Sequence, residues 1–171
     1  FIKPLMSRYF SKLENELRDH GMKNDLLVMK SNSGLMTARS AAGEPIHTLL
    51  SGPAGGALAG KFVGARAGYP DLITMDMGGT SFDVSLVQGG NIAERTEASV
   101  ADGLSIQVQM VDIRTIGAGG GSVGWLDGGG VMKVGPQSAG AAPGPACYGR
   151  GGEEPTVTDA DLVLGYLAPD A

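Results

Sequence analysis

Much of what usually narrows a protein's chemistry is scarce in this sequence. It holds one cysteine, Cys147, among 171 residues, which excludes an internal disulfide framework. Charged residues make up 18 %, below the ~25 % of an ordinary soluble domain. The formal net charge of −5 lacks the basic footprint of a nucleic-acid binder. No apolar run approaches the ~20 residues of a membrane-spanning helix. The start carries no basic n-region followed by an apolar h-region. These absences favour a cytoplasmic protein with neither nucleic acid nor membrane as partner. The chain begins at Phe1 rather than Met, so a preceding piece is expected.

Glycine, by contrast, is abundant. There are 29, with twenty in residues 71–171 and fourteen between Gly117 and Gly152. No Gly-X-Y period is present, which excludes collagen. The glycines are interleaved with short apolar runs, and hydrophobic residues total 42 %. That pattern predicts tight loops approaching a ligand from a folded scaffold. The length suits one domain of ordinary size.

The most informative stretch is Leu72–Val87, LITMDMGGTSFDVSLV. It predicts an apolar strand, a Gly78-Gly79 turn and a second strand, a hairpin signal. A plain hairpin does not need Asp76, Thr80 and Asp83 gathered around its glycines. A phosphate-and-metal site does. Glycines let backbone N–H groups approach an anion, a hydroxyl donates to a phosphate oxygen, and carboxylates hold hydrated magnesium. On the residues alone, a polar hairpin tip and a phosphate site both stand.

Around this stretch the periodicity is mostly readable. Pro4–His20 predicts an amphipathic helix with Leu5, Met6, Tyr9, Phe10, Leu13 and Leu17 on one face, stopped by Gly21. Leu26–Met29 predicts a short buried strand, and Leu35–Ala42 a short helix. Ser51–Gly68 predicts a Gly/Ala-rich helix suited to close packing on a sheet, with Pro53 in its first turn. Asn91–Val100 predicts a third strand and Leu104–Ile116 a further one, forming an antiparallel β-meander. Val131–Val134 predicts a short strand. Gly135–Gly152 is expected to be irregular. Thr158 with Asp161 resembles a capping box opening a terminal helix over Asp159–Leu167.

Two glycine patterns fail on context. Gly55–Lys61 spells G-x-x-x-x-G-K, but Phe62 stands where Ser or Thr should hold magnesium, and no strand feeds into it. Gly119-x-Gly121-x-x-Gly124 fits a dinucleotide fingerprint, but Trp125-Leu126-Asp127-Gly128 follows it instead of a helix. His20 and His47 lie away from the motif cluster and read as helix-end and packing residues. Cys147 has no evident activating neighbour, so it reads as an ordinary thiol. Trp125 reads as a loop anchor, and Asp159 and Asp161 as helix-start residues.

Asp76–Val84, DMGGTSFDV, resembles the second phosphate motif of the actin-like ATPase superfamily. With Ser51–Gly56 (SGPAGG), Thr115–Ser122 (TIGAGGGS), Val134–Gly149 (VGPQSAGAAPGPACYG) and Pro155–Asp161 (PTVTDAD) in order, the chain resembles the hydantoinase A / 5-oxoprolinase family. The resemblance implies an α/β lobe of ribonuclease-H-like, actin-like type, with a mixed sheet, a β-meander, flanking helices and glycine-rich loops. Residues 1–50 would be its helix-strand lead-in and 51–171 its core, with the phosphate motif at 76–83. It implies ATP and magnesium as cofactors. The implied activity is ATP-dependent hydrolysis of a small cyclic amide, with the amide oxygen phosphorylated before ring opening. Related members are acetone- and acetophenone-type carboxylases, and a non-catalytic nucleotide-binding module is a third possibility. A hydantoinase B-type subunit or domain and an oligomeric assembly are implied as partners.

Carried over by residue, Gly78, Gly79, Thr80 and Ser81 would contact ATP phosphates. Asp76 would orient magnesium through water, and Asp83 would brace the loop or position the attacking group. Gly119, Gly120, Gly121 and Ser122 would line the cleft that takes the substrate carbonyl. Asp112 would touch metal or substrate. Arg114 stands where many members carry His; if that His holds a metal in them, this chain either lacks that metal or uses Arg114 for an anionic substrate group. The family's first phosphate motif and later adenosine glycines are absent from this sequence, which implies a central fragment with little turnover alone.

Overall fold

The computed structural model describes residues 2–101 and 104–170. The fold is mixed α/β with several small antiparallel sheets. The chain divides into two compact units, Phe1–Thr74 with Ser85–Ile113, and Met75–Val84 with Arg114–Ala171.

The first unit opens on helix α1 (Lys3–Asp19), with Pro4 in its first turn. Phe10 is its buried anchor, while Leu5 and Tyr9 on the predicted apolar face are exposed. Strands β1 (Leu27–Met29) and β2 (Leu35–Thr37) pair antiparallel, with Val28 opposite Met36. Helix α2 (Ala38–Gly43) follows at once, its N-terminus capped by Thr37 Oγ1 accepting from Ser40 N at 3.2 Å. The expected single helix over Leu35–Ala42 is therefore a strand and then a helix. Thr37 explains the change, because a β-branched residue in extended conformation both ends a strand and caps a helix. Phe10, Ala38 and Ala41 form a core with Met6, Leu26, Val28 and Met36 around it.

Helix α3 (Ser51–Ala67) ends at Gly68 in the left-handed conformation, as its sequence predicts. Ala54 and Ala57 pack with Val111 and Ile113 in a second core. A Cβ at Gly60 would strike Thr74 Cγ2, and one at Gly64 would strike Leu72 Cδ2. Glycine there lets α3 lie directly against strand β3 (Leu72–Met77). The G-x-x-x-x-G-K pattern is thus a packing feature of a helix interior.

Strand β4 (Phe82–Gln88) neighbours β3 across the short turn at residues 78–81. So short a connection joins only antiparallel strands. After Gly89-Gly90, β5 (Asn91–Ile92) pairs antiparallel with the end of β4. The expected third strand is broken at Ala93. Its remainder, β6 (Glu94–Ala101), pairs with β7 (Leu104–Val111) in a separate two-stranded sheet carrying two register shifts. The expected strand Leu104–Ile116 likewise breaks at Asp112, and β8 (Ile113–Ile116) pairs with β4 instead. In both breaks one residue lets the chain change sheets. Asp112 N donates to Ala93 O at 2.8 Å, so the two breaks brace each other.

In the second unit, β9 (Ser122–Leu126) and β10 (Met132–Ser138) form an antiparallel pair, with Val134 opposite Gly124 and a shift before Ser138. Strand β10 runs past the expected Val134 through a cis Gly135–Pro136 bond. Trp125 Nε1 donates to Gly135 O at 2.8 Å, the anchoring role expected of it. Helix α4 (Val157–Val163) is the last helix or strand among the described residues. Its capping box is Thr156 with Asp159, two residues before the expected pair, because the Thr158 hydroxyl is engaged elsewhere. Among the described residues no helix is long and apolar enough to cross a membrane.

Candidate functional site

The hairpin tip is a tight turn in which Gly78 N donates to Ser81 O at 2.9 Å. Its carbonyls are used by the second glycine segment. Gly120 N donates to Gly78 O at 2.9 Å, and Gly121 N donates to Gly79 O at 2.6 Å. A trans peptide is planar, so the N–H of the next residue points opposite to each carbonyl. The N–H groups of Gly79 and Thr80 therefore face away from the glycine loop, side by side. Among the described residues neither has an acceptor. Successive outward N–H groups of this kind form an anion-binding concavity.

The closeness of the two segments explains their composition. A Cβ at Gly119 would lie 2.6 Å from Ser81 N and Thr80 C and 2.7 Å from Gly78 O. One at Gly121 would lie 2.8 Å from Gly79 O. No other residue type fits between these backbones.

Asp76 is the penultimate residue of β3, just before the turn, with an exposed side chain that no group among the described residues engages. Asp83 is the second residue of β4, just after the turn, and its Oδ1 accepts the Thr115 hydroxyl at 2.6 Å. The turn is thus flanked by one carboxylate open to solvent and one fixed in orientation. Thr80 is exposed, Ser81 half-buried and Ser122 fully buried. The Ser122 hydroxyl has no partner among the described residues. Strand alternation puts the exposed Arg114 on the face opposite Thr115. Asp112 belongs to the other unit, half-buried, with Arg95 Nη1 at 3.8 Å from its Oδ1. The second unit therefore brings together Asp76, Gly78–Ser81, Asp83 and Gly119–Gly121. Among the described residues, no three His, Cys, Asp or Glu side chains cluster as a protein cage for a metal. A magnesium ion held by one or two carboxylates and by substrate phosphates needs no such cage.

Three residues beyond those expected shape the site. Thr115 orients Asp83. Thr158 gives both its N–H and its hydroxyl to Gly120 O, each at 2.8 Å. Asp159 gathers the N–H of Cys147 at 2.7 Å, Ala146 N at 3.3 Å, and both Thr156 N and Oγ1 at 2.8 Å. The visible signal was hydroxyls beside glycine runs, though spacing alone does not pair them. Burial pushes the Asp159 carboxyl upward, but the bonds from Cys147 and Thr156 outweigh it and hold the group below the usual carboxylate range. The same carboxylate, accepting from the thiol, pushes Cys147 up, with partial desolvation and charge repulsion adding to it. A raised thiol pKa is opposite to what a nucleophile requires.

A depressed folded pKa contributes stability above the unfolded value, near ~3.9, and loses it as pH falls below that. Asp159→Asn is therefore expected to lower the melting temperature at neutral pH, with the gap from wild type closing below about pH 4. Thermal melts across pH check this, and a gap unchanged at acid pH would reject it.

A model of the Hydantoinase/oxoprolinase family matches residues 1–171. Caprolactamase subunit alpha of Pseudomonas jessenii is 44 % identical over 171 residues, covering 100 % of this chain and 24 % of that protein. The crystal structure of ATP-dependent caprolactamase from that organism superposes with a TM-score of 0.74 at 43 % identity, covering 98 % of this chain and 24 % of that one. 5-oxoprolinase 1 of Arabidopsis thaliana is 41 % identical over 172 residues, covering 99 % of this chain and 13 % of that protein. A nucleotide-free acetone carboxylase structure, solved for ATP-dependent acetone carboxylation, gives a TM-score of 0.78 at 36 % identity. It covers 94 % of this chain and 22 % of that one. The chain thus spans about a quarter or less of these relatives' lengths.

Proposed function

Since the chain belongs to the hydantoinase/oxoprolinase family, we propose that it is the phosphate-turn region of a longer, ATP-dependent cyclic-amide hydrolase. The observation that carries this reading is the pair of outward N–H groups at Gly79 and Thr80, in a turn preceded by the exposed Asp76 carboxylate, which no group among the described residues engages. When bound, magnesium-ATP supplies the phosphoryl group that activates the amide oxygen before ring opening. Gly79 and Thr80 N–H and the Thr80 hydroxyl would hold phosphate oxygens, with Gly78 and Ser81 closing the turn. Asp76 would orient magnesium through water. Asp83, fixed by Thr115, would position the attacking group. Gly119–Gly121, packed on the carbonyl side of the turn, would hold it from behind, and Arg114 would meet an anionic group of the substrate. Such work is mostly positioning and charge neutralisation, which backbone N–H groups and carboxylates provide. A hydantoinase B-type subunit would supply the later half of the reaction. The caprolactamase relative, itself named as a subunit, supports a multi-subunit assembly.

The acetone carboxylase likeness favours a second reading, an ATP-dependent carboxylase subunit. The two separate in a substrate panel on the full-length protein with its partner subunit. Caprolactam, hydantoin and 5-oxoproline are offered without bicarbonate, and a ketone with it. The hydrolase reading predicts ADP release with a lactam or hydantoin and no need for bicarbonate. Release only with ketone and bicarbonate would establish the carboxylase reading in its place.

A further inference from the structure

Gly120 is held from two sides. Its N–H bonds to Gly78 O, and its carbonyl takes two donors from Thr158. The Thr158 N–H is one of the donors that a helix start leaves without an intrahelical partner. In α4 it goes to Gly120 rather than to a cap. The start of α4 is itself fixed by the Thr156–Asp159 capping box, by the Val123–Thr156 bridge, and by Gly124 N donating to Pro155 O at 2.8 Å. A Cβ at Gly120 would lie 2.8 Å from Thr158 Oγ1, so no side chain fits between the two.

We infer that Thr158 is a positioning residue for the Gly78–Ser81 turn, acting through Gly120 without touching the bound phosphate. This rests on the reading of that turn as a phosphate site. The turn is exposed at Gly78, Gly79 and Thr80. Apart from its own Gly78–Ser81 bond, its backbone is restrained by Gly120 and Gly121. The direction of the Gly79 and Thr80 N–H groups is therefore set by the glycine loop. That loop is supported behind by Thr158 at Gly120 O and by Ala139 N at Gly121 O, 2.8 Å. A carbonyl with two donors in place is fixed in direction as well as distance. With the hydroxyl gone, Gly120 keeps one donor and can rotate.

The test compares Thr158→Val with Thr158→Ser in the full-length protein, by amide hydrogen exchange of residues 78–81 and 117–122 and by magnesium-ATP titration. Valine keeps the shape and the N–H but removes the hydroxyl, whereas serine restores it. Thr158→Val is expected to speed exchange in both segments and weaken magnesium-ATP binding, each roughly fivefold, as the loss of one net hydrogen bond gives. Thr158→Ser is expected to match wild type in both. Unchanged exchange in Thr158→Val, or a serine variant as perturbed as the valine one, overturns the inference. Wild-type protein that binds no ATP would remove the phosphate reading, and with it the role in nucleotide binding. The exchange comparison would then still decide whether Thr158 orders the turn.

Discussion

Gly119→Ala in the full-length protein is expected to reduce lactam-dependent ADP release by roughly 100-fold, the scale on which a displacement near 1 Å acts. The added methyl meets Ser81 N, Thr80 C and Gly78 O, all backbone atoms. None can swing aside as a side chain would. The turn is also tied to the same loop by the Gly120 and Gly121 N–H groups. The loop must retreat from the turn, or the turn must shift with its outward N–H groups. Overpacking of this kind costs about 1–3 kcal/mol in stability as well. Gly117→Ala is the matched control, because nothing lies within 4 Å of a Cβ there and its φ is not positive. It is expected to behave like wild type. Equal activity in the two variants would show that the loop and turn do not act as one unit.

The second large effect is expected at Asp76. Among the described residues its exposed carboxylate has no partner whose loss could destabilise the fold. Asp76→Ala should therefore melt as wild type does, while turnover falls roughly 100-fold or more, the usual cost of removing a group that stabilises developing charge. Asp83→Ala should differ in kind. Asp83 holds the Thr115 hydroxyl, so its loss also frees β8 side chains from the turn's edge and lowers stability. Circular dichroism melts beside initial-rate measurements separate the two patterns. A large loss of stability in Asp76→Ala would mean that the carboxylate is structural.

Local features of this chain were legible in its sequence, and long-range ones were not. The Pro4–His20 periodicity, the Gly68 stop and the Gly78-Gly79 turn each depend on a few neighbouring residues, and each stands where expected. The breaks at Ala93 and Asp112 depend on which sheet the strand joins next, which no alternation pattern encodes. The capping box moved because two threonines two residues apart compete for one role. A contact with Gly120, 38 residues away, assigns Thr158 to the glycine loop and leaves Thr156 as the cap. The same holds for the site. The glycine turn and the glycine run were both visible, but their backbone contact was not. That contact is what turns the Gly79 and Thr80 N–H groups outward.

The central claim is that the turn between Asp76 and Asp83 holds the phosphates of magnesium-ATP. The most direct measurement is a calorimetric titration of magnesium-ATP into the full-length protein and its Asp76→Ala variant. Saturable binding by wild type and its loss in the variant is the predicted result. Unchanged affinity in Asp76→Ala would contradict the claim.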